Sequence, residues 1–167
     1  MALPSAALAY KRSALMTATK VTAKPPSEEV LKARDSFQDF CKFMGKPPAK
    51  HMLEWHAELC TGENSECLLG IAGANTSILA PRGSAKSTVL GLFAAWMIGR
   101  HAAAKKMLRI LYIAYMVDIS RAKSATIKGI LTSTKYREIF PMVRLSKIKR
   151  SDEYWSIDYE FAGIDTA

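Results

Sequence analysis

Acid is in short supply in this chain, with 15 Asp and Glu against 24 Lys and Arg and a net charge of +9. Cysteine is rarer still: the three, Cys41, Cys60 and Cys67, form no C-x-x-C pair, which argues against a disulfide framework and a thiolate zinc clamp. An odd number of thiols with no export signal predicts reduced, intracellular cysteines. The three histidines do not make a metal motif. In His51-Met-Leu-Glu-Trp-His56 both the acid and the second imidazole are misplaced relative to H-E-x-x-H. Long apolar runs are missing too. The most apolar stretch, Ile110 to Val117, has eight residues, where a membrane-spanning helix needs about twenty. No apolar run of signal-peptide length follows the amino terminus. Residues 1–24 carry no acid before Glu28 and are rich in Ala, Ser, Thr and Lys. That composition would suit an organelle transit peptide, but a flexible basic arm over residues 1–26 is the simpler account.

What remains is the material of one domain. The chain has 167 residues, 49% of them apolar, which is enough for a core. Its cations are unevenly placed: from Ile119 to Arg150 there are nine Lys or Arg against one acid, Glu138. Such asymmetry favours a surface facing a polyanion, nucleic acid or an anionic membrane, more than the total charge does, with a solvated basic face as the alternative.

The elements follow from local pattern. Lys24-Pro-Pro-Ser27 closes the arm, and Ser27 can cap a helix whose first turn, Glu28 and Glu29, complements the dipole. Val30, Phe37, Phe40, Cys41 and Met44 recur at helical spacing until Gly45-Lys-Pro-Pro48 stops the helix. A second helix runs from about Ala49 to Cys60, completing a helical segment over residues 27–64. Cys67 to Ile71 and Thr76 to Leu79 read as short strands, and Lys86 to about Arg100 as an apolar helix. Leu108 to Tyr115 has the continuous β-branched character of a buried parallel strand. Asp118 can cap another helix with Ile119, Ala122, Ile127, Ile130 and Leu131 inward and Arg121, Lys123 and Lys128 outward. Trp155, Ile157, Tyr159 and Phe161 alternate with polar residues as a half-exposed strand does. This order predicts an α/β fold with parallel crossovers.

Between the second strand and the apolar helix stands Ala80-Pro-Arg-Gly-Ser-Ala-Lys-Ser-Thr88. It matches the phosphate-loop pattern G-x-x-x-x-G-K-[ST] at Lys86 and Ser87 but has Ala80 and Ala85 at the glycine positions. A triphosphate site needs three things here. Backbone N–H groups must curl around the phosphate at a helix start, a lysine must reach its oxygens, and a hydroxyl must help hold Mg²⁺. Lys86 and Ser87 supply the last two, with Thr88 in reserve, and Gly83 provides the turn. Arg82 adds a guanidinium able to fork onto phosphate oxygens. Alanine at a left-handed position costs about 1 kcal/mol, which a bound triphosphate could offset. A strand-to-helix connection made of small residues would give the same string without any ligand.

The loop resembles the variant Walker A sequence of bacteriophage terminase large subunits, the ATPases that pump DNA into proheads. The resemblance extends upstream to Pro48-Ala-Lys-His-Met-Leu-Glu-Trp-His56, similar to the family's adenine-associated helix. Downstream it takes in Arg109-Ile-Leu-Tyr-Ile-Ala-Tyr115, Asp118-Ile-Ser-Arg-Ala-Lys123 and Lys135-Tyr-Arg-Glu-Ile-Phe-Pro141. It implies a partial P-loop NTPase fold of the ASCE type over residues 65–167, a parallel sheet flanked by helices and preceded by the N-terminal helices. By the same resemblance, ATP and Mg²⁺ are the cofactors, and Pro81, Arg82, Gly83, Ser84, Ala85, Lys86, Ser87 and Thr88 hold the nucleotide. Ser87 is the metal ligand, and Lys86 and Arg82 are catalytic, Arg82 coupling hydrolysis to DNA movement. Double-stranded DNA, a terminase small subunit, a portal and a homo-oligomeric motor ring are the implied partners, in the cytoplasm of an infected or prophage-carrying bacterial host and with no membrane.

The chain departs from that family in its acids. A hydrolytic P-loop motor needs an acidic pair after a buried strand, for Mg²⁺ and for the attacking water. Asp118 reads better as a helix cap, Asp152-Glu153 follows basic residues, and Asp165 has no motif around it. The expectation is a truncated or fragmentary ATPase module, lacking the downstream acidic motif and the nuclease domain. It would bind nucleotide weakly and turn none over. A small kinase, a helicase fragment, or a basic DNA-binding protein with no nucleotide remain alternatives.

Overall fold

The computed structural model describes residues 25–59 and 77–159. Six helices and two strands occur among the described residues. The first helix, α1 (Glu28–Asp35), starts where Ser27 Oγ accepts the Val30 N–H at 3.4 Å. The expected single helix through Met44 is divided. Ser36 takes an extended conformation, ends α1 and caps α2 (Phe37–Phe43) by accepting the Asp39 N–H. Gly45, at φ +75°, supplies the left-handed turn that stops α2. Next come α3 (Lys50–Leu59), α4 (Lys86–Ala103), α5 (Val117–Thr132) and α6 (Thr134–Ile139). A hairpin of β1 (Val143–Arg150) and β2 (Trp155–Tyr159) completes the described chain.

The core forms around α4, which is apolar on nearly every face. Val89, Leu92, Ala95, Trp96 and Ile98 are buried against Phe37, Phe40 and Cys41 of α2 and Tyr136, Ile139 and Phe140 around α6. Polar atoms inside are satisfied: Trp96 Nε1 donates to the Ala33 carbonyl at 3.3 Å and the Tyr136 hydroxyl to the Ala95 carbonyl at 2.9 Å. Gly99 lets Phe140 lie directly on α4, since a Cβ there would fall inside the phenyl ring. Burial of the Cys41 thiol raises its pKa to about 12.

Among the described residues no parallel sheet is formed. The sheet seen is the two-stranded antiparallel hairpin, in register Val143↔Tyr159 and Leu145↔Ile157, with β1 bulged before Arg150↔Trp155. Leu108–Tyr115, expected as a buried parallel strand, has no regular structure, and Leu111, Ile113 and Tyr115 are 84%, 80% and 87% exposed. Ser77–Ala80 is likewise no strand, and Leu79 is exposed. A strand exists only through its hydrogen-bonded neighbour, and among the described residues neither segment has one. The architecture is therefore helical with a terminal hairpin, a correction to the α/β expectation. Residues 1–24 of the expected arm and the expected strand Cys67 to Ile71 lie outside the described residues.

Two smaller differences concern α5. Its N-cap is Met116 rather than Asp118, which sits in the first turn where its charge still favours the helix dipole. Ile127 and Leu131 are buried as expected, whereas Ala122 is exposed. No described helix is long and apolar enough to cross a membrane.

Candidate phosphate-binding loop

The loop before α4 is a tight turn, not an extended connection. Ser84 folds back on Pro81 twice: its N–H reaches the Pro81 carbonyl at 3.4 Å and its hydroxyl donates there at 2.8 Å. Gly83 lies at φ +87° and Ala85 at φ +58°, so both turn residues are left-handed. Ala85 is also the N-cap of α4, with no side chain to accept from the first turn. Its carbonyl takes the N–H groups of Thr88 and Val89. Among the described residues, the backbone N–H groups of Gly83, Ala85, Lys86 and Ser87 have no acceptor. They stand at the positive end of an 18-residue helix.

Pro81, Arg82, Gly83, Ser84, Ala85, Lys86, Ser87 and Thr88 together line one open hollow of about 510 Å³. All eight residues expected to hold nucleotide are thus brought to one place. Arg82, Ser87 and Thr88 are exposed and Lys86 is half-buried. The Lys86 ammonium is turned inward, donating to the carbonyls of Ala80 and, at 2.9 Å, Pro81, with Ser84 Oγ at 3.3 Å. An anion entering the hollow must replace those acceptors with its own oxygens. Helix α3 reaches the loop as well: His51 Nε2 lies 3.4 Å from the Ser84 carbonyl, and His51 meets Trp55 edge-on at 4.9 Å.

Among the described residues no carboxylate lines this hollow. Among the described residues no group of three His, Cys, Asp or Glu is placed to hold a metal ion. Asp152 and Glu153 sit far along the chain at the tip of the hairpin, where they are already engaged. Lys128 Nζ is 2.6 Å from Asp152 Oδ1 and Arg121 is 2.6 Å from Glu153 Oε1. The Lys128 hydrogen bond, ahead of its charge, holds the Asp152 carboxyl below its usual range. Trp155 Nε1 donates to Ser124 Oγ at 2.8 Å and completes the attachment of the hairpin to α5. Two of the three cations expected on the outer face of α5 therefore hold the hairpin. The third, Lys123, borders an apolar hollow of about 390 Å³ between α4, α5 and residues 108–112.

The strand β1, Val-Arg-Leu-Ser-Lys-Ile-Lys-Arg, is not among the elements expected from the sequence, where its cations read only as basic surface. The inward Val143 and half-buried Leu145, two apart, were the available signal. The chain matches no family model, no curated protein and no solved structure.

Proposed function

We propose that this chain is the nucleotide-gripping module of a bacteriophage DNA-packaging ATPase of the terminase large-subunit kind. It binds Mg²⁺-ATP through Ala80–Thr88 and does not hydrolyse it alone. The observation that carries the reading is the cup itself: two left-handed residues, four N–H groups with no acceptor among the described residues, and one lysine at a helix start. That donor set fits a phosphate tail. Lys86 and Arg82 would contact phosphate oxygens, and the exposed Ser87 hydroxyl would join the Mg²⁺ shell. Bound there, Mg²⁺-ATP would present its triphosphate tail to these groups. The described residues offer no acid beside it to orient a water, so binding without turnover is expected. Double-stranded DNA, a small subunit, a portal, a motor ring and the bacterial cytoplasm belong to this proposal through the sequence resemblance.

A second reading, a basic DNA-binding protein with no nucleotide, is favoured by the inward Lys86 ammonium. Equilibrium binding of Mg²⁺-ATP, Mg²⁺-ADP and AMP separates the two. A cup that grips phosphates binds ATP and ADP and holds AMP at least about tenfold more weakly. Equal affinity for all three, or none for any, would contradict it. DNA retention that weakens with salt and ignores ATP would favour the second reading.

A further inference from the structure

We infer that the bulged face of the β1–β2 hairpin, carrying Lys147, Ile148, Lys149 and Tyr154, binds single-stranded nucleic acid. The strand pairing makes this face. Leu145 pairs with Ile157 and Arg150 with Trp155, so Ser146, Lys147, Ile148 and Lys149 all stand against Ser156. A bulge of this kind pushes side chains out of the ladder and re-aims them. Ser146 stays buried and accepts the Ile148 N–H at 3.3 Å, while Lys147 and Lys149 are exposed and Ile148 is 92% exposed. Tyr154 joins them from the turn. Ser151 Oγ accepts the Tyr154 N–H at 2.9 Å and donates to the Tyr154 carbonyl at 2.7 Å, which fixes the backbone under a residue that is 63% exposed. The Lys149 ammonium lies 5.8 Å from the centre of the tyrosine ring.

Charge decides the kind of partner. The described acids of the hairpin are already matched: Asp152 pairs with Lys128, Glu153 with Arg121, and Asp158 stands opposite Arg144 in the ladder. Lys147 and Lys149 have no ion-pair partner among the described residues. The hairpin therefore presents an uncompensated positive face beside an exposed aromatic ring. Lysines on phosphates and a ring on a base are the two halves of sequence-tolerant single-strand binding. In a duplex the faces of the bases are covered by their neighbours, so Tyr154 would have nothing to stack on. One isoleucine offers too little apolar area to anchor the hairpin in a lipid surface. None of the four residues lines the phosphate cup, and binding here needs no nucleotide in it.

Fluorescence anisotropy of a labelled oligothymidylate of about twelve nucleotides, titrated with the full chain at several salt concentrations, tests this. The wild type should bind, with log K falling linearly as log salt rises. Lys147→Ala/Lys149→Ala should flatten that slope by about 1.4, at roughly 0.7 per phosphate contact on a single strand. Tyr154→Ala should weaken binding about fivefold to a hundredfold at unchanged slope, and Tyr154→Phe should restore it. Binding of a duplex of the same length should be insensitive to Tyr154→Ala. Lys135→Ala, which removes a cation beside Gly45 instead, should change neither slope nor affinity. A wild type that ignores the oligonucleotide overturns the proposal, as does a double-lysine variant with the wild-type slope or a Tyr154→Ala protein that binds like the wild type. Sedimentation with phosphatidylserine vesicles but no binding of the oligonucleotide would assign the face to a membrane instead. The titration contains no ATP, so its outcome is separate from that of the phosphate cup.

Discussion

Restoring the two missing glycines one at a time should have opposite effects. Ala85 is held at φ +58° at the start of α4, while Ala80 is not among the positive-φ residues. An L-residue in the left-handed well costs about 1 kcal/mol or somewhat more. Glycine removes that cost, but it adds unfolded-state freedom of roughly 0.4–1 kcal/mol. Glycine is also a better N-cap than alanine, and Ala85 provides no capping bond. The net expectation is that Ala85→Gly stabilises by about 0.5 kcal/mol, roughly 2 °C in Tm. Ala80→Gly relieves nothing and should lose about 0.5–1 kcal/mol. Urea titrations with a common slope would resolve the gap of about 1 kcal/mol between the variants. Two variants that shift by the same amount in the same direction would refute the loop geometry, because only a left-handed Ala85 distinguishes the sites.

Gly99→Ala should destabilise by about 1–3 kcal/mol in the same titrations, since its methyl would enter the ring of the fully buried Phe140; a neutral effect would mean α4 and Phe140 are further apart. Iodoacetamide should leave Cys41 unlabelled until the protein unfolds, because burial holds its thiol protonated up to about 12; mass-spectrometric labelling of Cys41 in the folded protein would contradict that core. The His56 imidazole, stacked on Phe37 at 4.6 Å, is held below its ordinary pKa by burial and then by Arg100. Its neutral form is the native one, so the unfolded chain binds more protons in acid. Its contribution is full above about pH 6.5 and is lost as pH falls through the lowered folded value. His56→Phe should flatten the stability loss as pH falls below about 6.5, and an unchanged slope would rule out His56 as its source.

The helices and the loop were legible because their signals are local. Ser27 and Glu28 mark the start of α1, the apolar run after Lys86 makes α4, and Lys86-Ser87 with Gly83 marks a tight turn in front of it. Leu108–Tyr115 misled for a physical reason. A contiguous β-branched run states that the segment prefers an extended backbone and apolar surroundings, but not that a neighbouring strand exists to pair with it. The divided first helix had the same kind of cause: Ser36 competes for backbone bonds as well as Ser27 does, ending one helix and capping the next. The basic character of α5 was visible, but not its use. That Arg121 and Lys128 are taken up by Glu153 and Asp152 depends on the hairpin folding back across more than twenty residues. The cup could be read as a list of residues, yet the inward turn of the Lys86 ammonium could not.

The central claim is that Lys86 and the amides around Gly83 grip a triphosphate. Thermal unfolding of wild type and Lys86→Ala under increasing Mg²⁺-ATP tests it most directly. A binding wild type gains stability with ligand, about 2.7 kcal/mol at a hundred times Kd, while Lys86→Ala stays flat because the loop has lost its only ammonium. Two proteins with the same response to ATP, whether both rise or neither does, would contradict the account.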